Sequence, residues 1–167
     1  MTIRKGTVFD ADAAGDIYTK ARKGMKEAGI DQWQGDYPSR ESFLKDVESG
    51  IAYAAEEDGR IVAVSALIIG SDRTYDKIDG KWKTDNNIYG VVHRISSDPE
   101  YRSRGIASAF FELIKEMCLE AGVGSVRCDT HRDNKAMQHT LLKNGFEYCG
   151  IIICSDGTER MAFERVL

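Results

Sequence analysis

Residues 95–109 read Ile95-Ser-Ser-Asp-Pro-Glu-Tyr-Arg-Ser-Arg-Gly-Ile-Ala-Ser-Ala109, a strand end and a helix start joined by a short basic turn. Upstream, Tyr89 to Ile95 is rich in β-forming residues. Downstream, Ile106, Ala109, Phe110, Leu113, Ile114 and Met117 recur at helical spacing. The turn therefore sits at a helix N-terminus, where backbone NH groups lack partners and the helix dipole is positive. Such a place seats phosphate, and Gly105 lets the backbone approach it closely. Arg102 and Arg104 add positive charge in a chain whose net charge is -4, which points to an anionic ligand held at one place.

The frame around the turn is the Asp98-Pro99 break, then Arg102, Gly105 and Ala107 opening a well-patterned helix. It resembles the central R/Q-x-x-G-x-G/A motif of the GNAT superfamily of acetyl-CoA-dependent N-acetyltransferases. A second stretch, Asn134 to Phe146, reads N-K-A-M-Q-H-T-L-L-K-N-G-F and is similar to that superfamily's Asn-opened helix ending in K-x-G-F. The resemblance implies that acetyl-CoA is the cofactor. Its pantetheine arm would bond the backbone of Ile95 and Ser97, with Ser96 between them. Amides of Ser103, Arg104, Gly105, Ile106, Ala107 and Ser108 would hold the pyrophosphate. Arg102 and Arg104 would contribute charge, and Asn134 would touch the cofactor arm while also reading as an ordinary helix N-cap.

At 167 residues the chain is most simply a single domain spanning 1–167, large enough to bury a core without staples. Its 42% hydrophobic and 30% charged content is that of an ordinary globular protein. No apolar run approaches the ~20 residues that span a bilayer, and Met1 to Gly6 lacks the apolar stretch of a signal peptide, so no membrane partner and a cytoplasmic location are expected. Cys118, Cys128, Cys149 and Cys154 form no C-x-x-C pair and read as buried free thiols. Only His93, His131 and His139 are available beside them, without zinc-ligand spacing, so no metal is expected. The acidic balance argues against nucleic acid.

Taken in order, Ile3 to Phe9 reads as a strand, followed by a helix from Asp10 or Asp12 to about Ala28. An aromatic loop carries Trp33 and Tyr37, and Ser39 caps a second helix. Strands at 51–56 and 60–69 flank a Glu57-Asp58-Gly59 hairpin turn. Residues 70–87 read as a long polar connection with Tyr75 and Trp82 as its large aromatics. After the strand at 88–96 and the helix beyond the turn come a strand at 126–130, a helix to about Lys143, and a hairpin of 146–153 with 160–166. The order β-α-α-β-β-β-α-β-α-β-β is mixed α/β, and the resemblance implies a mostly antiparallel central sheet flanked by helices. An edge strand in the final hairpin is where a homodimer would pair, a general property of open sheets.

Acyl transfer to an amine needs a base, because only the neutral amine is nucleophilic. His93 is one candidate, two residues before Ile95 and on its face by strand alternation. His131, just past the 126–130 strand, and Asp129 inside it are the others. Many members of the superfamily place a Tyr acid two residues before the Lys of K-x-G-F, whereas this chain has Leu141 there. A thiol of pKa ~8.5 is a tolerable leaving group without one. The expectation is an acetyltransferase acting by direct attack on a primary amine, in a small molecule or a peptide. The alternative is a non-catalytic acyl-CoA-binding module. A nucleotide-binding domain is weaker, since both of its glycine-rich frames are absent.

Overall fold

The computed structural model describes residues 1–167. Eight strands hydrogen-bond in the order β1-β2-β3-β5-β6-β8-β7-β4. β5 and β6 run parallel, through Gly90–Val126 and Val91–Arg127, while β1–β2, β2–β3, β4–β7, β6–β8 and β7–β8 pair antiparallel, so the sheet is mostly antiparallel, as expected. The chain divides into two interleaved compact units, Met1–Leu67 with His93–Phe110 and Ile68–Val92 with Phe111–Leu167.

The first unit holds β1 (Thr2–Lys5), α1 (Ala11–Glu27), α2 (Arg40–Glu48), β2 (Ala52–Glu57) and most of β3 (Arg60–Gly70). It also holds the second half of β5 (Tyr89–Ser97) and the first turn of α3 (Ile106–Glu120). Its core gathers Ala11, Ala14, Ile17, Tyr18, Phe43, Ala52, Ala54 and Val64, small residues on α1 and β2 letting helix and strand approach. The opening strand is shorter than its sequence pattern suggests. Asp10, the residue before α1, accepts from the Thr7 amide at 2.8 Å and from Arg4 Nη1 at 2.8 Å. This pins a 3-10 turn at Val8–Asp10 and leaves Phe9 93% exposed. Ser39 caps α2 as predicted, its side chain accepting from the Ser42 amide.

The second unit holds β4 (Asp79–Gly80), β6 (Ser125–Thr130), α4 (Lys135–Lys143), β7 (Glu147–Ile153) and β8 (Glu159–Val166), with the first half of β5 and the rest of α3. Tyr75, Tyr89, Val91, Ile152 and Ala162 form its core cluster, and the Phe111 and Phe146 rings meet at 5.0 Å. Arg127 and Glu164 make a buried ion pair at 3.1 Å. The stretch expected as a polar connection contains a 3-10 turn, Arg73–Tyr75, and the short strand β4, and it delivers Tyr75 into the core at 2% exposure. The final hairpin is not at the sheet edge. β8 lies between β6 and β7, and β4 covers part of β7 through Gly80–Gly150. A Cβ on Gly80 would stand 2.2 Å from the Cys149 carbonyl oxygen, which is why this crossing needs glycine. No helix is long and apolar enough to cross a membrane.

Candidate active site

In the first unit, β5 runs into the basic turn. The Asp98 amide donates to the Val62 carbonyl of β3 at 2.8 Å. Antiparallel pairing alternates, so Ser96 shares the parity of Asp98, while the backbone groups of Ile95 and Ser97 face away from β3. Asp98 then caps a 3-10 turn at Pro99–Tyr101, accepting from the Glu100 amide at 3.0 Å. Its carboxylate also takes Lys20 at 2.6 Å. Burial opposes its charge, but the Lys20 and Glu100 hydrogen bonds outweigh that and hold it below the ordinary carboxylate value.

Ser103 lies at φ 65° and Gly105 at φ 76°, and this pair of left-handed residues swings the chain into α3. A side chain on Gly105 would meet nothing within 4 Å, so glycine is favoured there by conformation, with open space in front of it. The first bond of the helix runs from the Ala109 amide to the Gly105 carbonyl at 3.0 Å. The amides of Ile106, Ala107 and Ser108 precede it and have no partner within the helix. Ala107 has no left-handed backbone, so alanine fits where glycine is common. Arg102 is exposed, and Gly24 of α1 leaves it room, since a Cβ there would come within 3.1 Å of Nη2. Arg104 lies over the Tyr101 ring at 4.8 Å and reaches Glu57 at 3.7 Å.

Arg94, between His93 and Ile95, sits at φ 54°. A left-handed residue interrupts the pleat, so the alternation that put His93 and Ile95 on one face does not carry across it. The Arg94 guanidinium grips both Asp46 oxygens, at 3.1 and 2.6 Å, and donates to the Tyr37 hydroxyl at 2.9 Å. His93 lies within electrostatic reach of Asp46, and its carbonyl accepts from Ser65 Oγ at 3.1 Å. Burial raises the Asp46 carboxyl despite Arg94 and His93. The wholly buried Tyr18 hydroxyl meets no hydrogen-bond partner, and its burial pushes its pKa upward. Nothing in the linear sequence marked Asp46 or Tyr18, because a helical Asp reads as solvated and a helical Tyr as core. A cleft of about 500 Å³ on the α1 and α2 side is lined by Asp12, Asp16, Asp36 and Glu41 with Arg22 and Arg40. None of the expected site residues lines it.

The second unit brings Asp129, His131 and Asn134 together at the end of β6. Asn134 is the N-cap of α4, Oδ1 accepting from the Met137 amide at 3.1 Å, and it is 9% exposed. His131 Nδ1 accepts from the Asp133 amide at 3.2 Å, which places the ring proton of a neutral imidazole on Nε2. Asp129 is half-buried and accepts at Oδ1 from the Tyr75 hydroxyl at 2.7 Å. Leu141 is fully buried in α4. Burial raises all four thiols, with Cys118 pushed up to about 11, so none is poised as a nucleophile near neutral pH.

The sequence pattern of the Acetyltransferase (GNAT) family matches residues 16–146. Among solved structures, an acetyltransferase of the GNAT family from Streptococcus agalactiae 2603 is 34% identical, with a TM-score of 0.88 over 99% of this chain and 95% of that one. A GNAT-family acetyltransferase from Listeria monocytogenes 4b F2365 is 17% identical, with a TM-score of 0.72 over 99% and 94% of the two chains. The ribosomal-protein-alanine N-acetyltransferase from Brucella melitensis is 16% identical, with a TM-score of 0.69 over the whole of both. At these lower identities the likeness is one of fold. No curated protein matches the chain by sequence.

Proposed function

The chain belongs to the Acetyltransferase (GNAT) family, and from that premise we propose that it moves the acetyl group of acetyl-CoA onto a primary amine by direct attack, as a cytoplasmic enzyme whose residues 1–167 act as one domain. The observation that carries the reading is the turn at 102–108. Gly105 at φ 76° opens onto empty space beside the first amides of α3, which have no partner within the helix, a cradle that suits a pyrophosphate. Bound there, acetyl-CoA supplies an activated thioester. Amides from Ser103 to Ser108 hold its phosphates, with Arg102 and Arg104 adding charge. The outward-facing backbone of Ile95 and Ser97 bonds the arm, and Asn134 can touch it as well as cap α4.

Among the three base candidates, Asp129 fits the chemistry best. His131 spends Nδ1 on the Asp133 amide, so it must give up that bond to take a proton. His93 sits beside the buried Asp46 and Arg94 pair and is second choice. No thiol is prepared for a covalent acyl-enzyme, which favours direct attack. The acceptor is an amine of a small molecule or a peptide. Calorimetric titration with acetyl-CoA should show binding that Gly105→Glu abolishes, because a carboxylate would occupy the phosphate seat. An amine panel should then reveal accelerated CoA release. Absence of binding by the unaltered protein would overturn the proposal. Binding with no amine-dependent release would instead support a non-catalytic acyl-CoA-binding module, the reading that buried Leu141 in the usual acid position favours.

A further inference from the structure

Resting on the acetyl-transfer reading, we propose that Tyr75 is a positioning residue that holds Asp129 in its working orientation as the general base. The observations all lie within the second unit. Tyr75 belongs to a stretch whose composition marks it only as polar connection, yet it is 2% exposed and its hydroxyl donates to Asp129 Oδ1 at 2.7 Å. Its ring is fixed from two sides, by Trp82 at 5.3 Å and by Tyr89 at 6.2 Å. Its backbone is fixed too. The Trp82 indole NH donates to the Tyr75 carbonyl at 3.1 Å, and Asp72 caps the 3-10 turn through the Thr74 amide at 2.8 Å.

Arg127, two residues before Asp129 on β6, lies over the Trp82 and Tyr89 rings at 4.3 and 3.9 Å. It pairs with Glu164 at 3.1 Å and donates to the Thr84 carbonyl at 2.9 Å, so it braces the aromatic platform and spends its charge there. Across the ladder, Asp129 faces Ala162, too small to cover the carboxylate. Burial and the neighbouring carboxylate keep the Tyr75 hydroxyl protonated far above neutral pH, so it remains a donor throughout. With Oδ1 taken by Tyr75, Oδ2 is the oxygen that accepts a proton from the acceptor's ammonium group. The N–H bond breaks, the O–H bond forms, and the freed lone pair attacks the thioester carbonyl carbon; the C–N bond forms, the C–S bond breaks, and CoA leaves as its thiolate and takes a proton from water. Later release of that proton to water restores the carboxylate. A carboxylate that rotates freely on χ2 presents its lone pairs in many directions, whereas one tethered at Oδ1 presents Oδ2 in one.

The test is a double-mutant cycle on the full chain, using Tyr75→Phe, Asp129→Asn and both together. It reads acetyl-CoA binding by calorimetry, kcat and KM for the best amine of the panel, and the melting temperature. Asp129→Asn should lower kcat by at least about 100-fold. Tyr75→Phe, which keeps the ring and loses only the hydroxyl, should lower kcat about tenfold and leave acetyl-CoA affinity within about twofold. In the Asp129→Asn background, Tyr75→Phe should cost nothing further. A Tyr75→Phe rate equal to that of the unaltered protein, or the same loss in both backgrounds, would overturn the assignment. Full activity in Asp129→Asn would overturn it while leaving acetyl transfer standing. Failure of the unaltered protein to bind acetyl-CoA would remove the function and the assignment with it.

Discussion

Arg94 illustrates how one residue can join strand geometry to a buried charge pair. Its left-handed backbone breaks the alternation of β5, and its side chain neutralises Asp46, with side-chain exposures of 16% and 8%. Arg94→Ala would leave Asp46 buried without this partner, and we expect a loss of roughly 3–5 kcal/mol in unfolding free energy, read from urea denaturation. Replacing Asp46 as well, with Asn, should recover part of that loss, because a neutral amide is cheaper to bury than an unpaired carboxylate. Gly105 is the second instructive position. Since its φ is 76° with nothing nearby, Gly105→Ala should cost about 1 kcal/mol through backbone strain alone. Its effect on acetyl-CoA binding should be far smaller than that of Gly105→Glu, and calorimetry on the pair separates conformation from charge.

Among the elements, α4 carries the most divided role. Asn134 caps it through Oδ1, so Asn134→Ala should destabilise by about 1 kcal/mol, read from thermal melting. Asp caps as well as Asn, so Asn134→Asp should melt normally. An aspartate has no amide NH to donate, however, and it adds a negative charge. If Asn134 also touches the cofactor arm, Asn134→Asp should weaken acetyl-CoA binding without loss of stability; unchanged affinity would reduce Asn134 to a cap. The strand β6 shows the complementary case. Arg127 and Asp129, on one face of it, are both polar, and each is matched by a partner from a distant stretch, Glu164 for one and Tyr75 for the other.

For the whole molecule, the response to acid follows from its carboxylates. Asp10 ionises below its ordinary value of 3.8, chiefly through the Arg4 hydrogen bond. In Glu164 burial opposes ionisation, but hydrogen bonds from Thr84, Ser125 and Arg127 outweigh it and hold the group below 4.5. Both therefore contribute stability that is present above those ordinary values and lost as pH falls through the lowered folded ones. Asp46, raised by burial, works in the opposite sense, favouring the fold only in acid. Urea midpoints should fall below about pH 4, and Arg4→Gln should flatten that fall by removing the largest support for Asp10. The element order apart from β4, the Ser39 and Asn134 caps, the basic glycine turn at the start of α3 and the family were legible in the sequence, because each is written in neighbouring residues: apolar periodicity, a capping side chain, a glycine after two arginines. The Asp129 and Tyr75 hydrogen bond joins positions 54 apart, and the Arg94 and Asp46 pair joins positions 48 apart. The burial of Tyr75 and the left-handed turn at Arg94 were hidden for the same reason, since local sequence describes what a segment prefers, whereas these are settled by what packs against it from far along the chain.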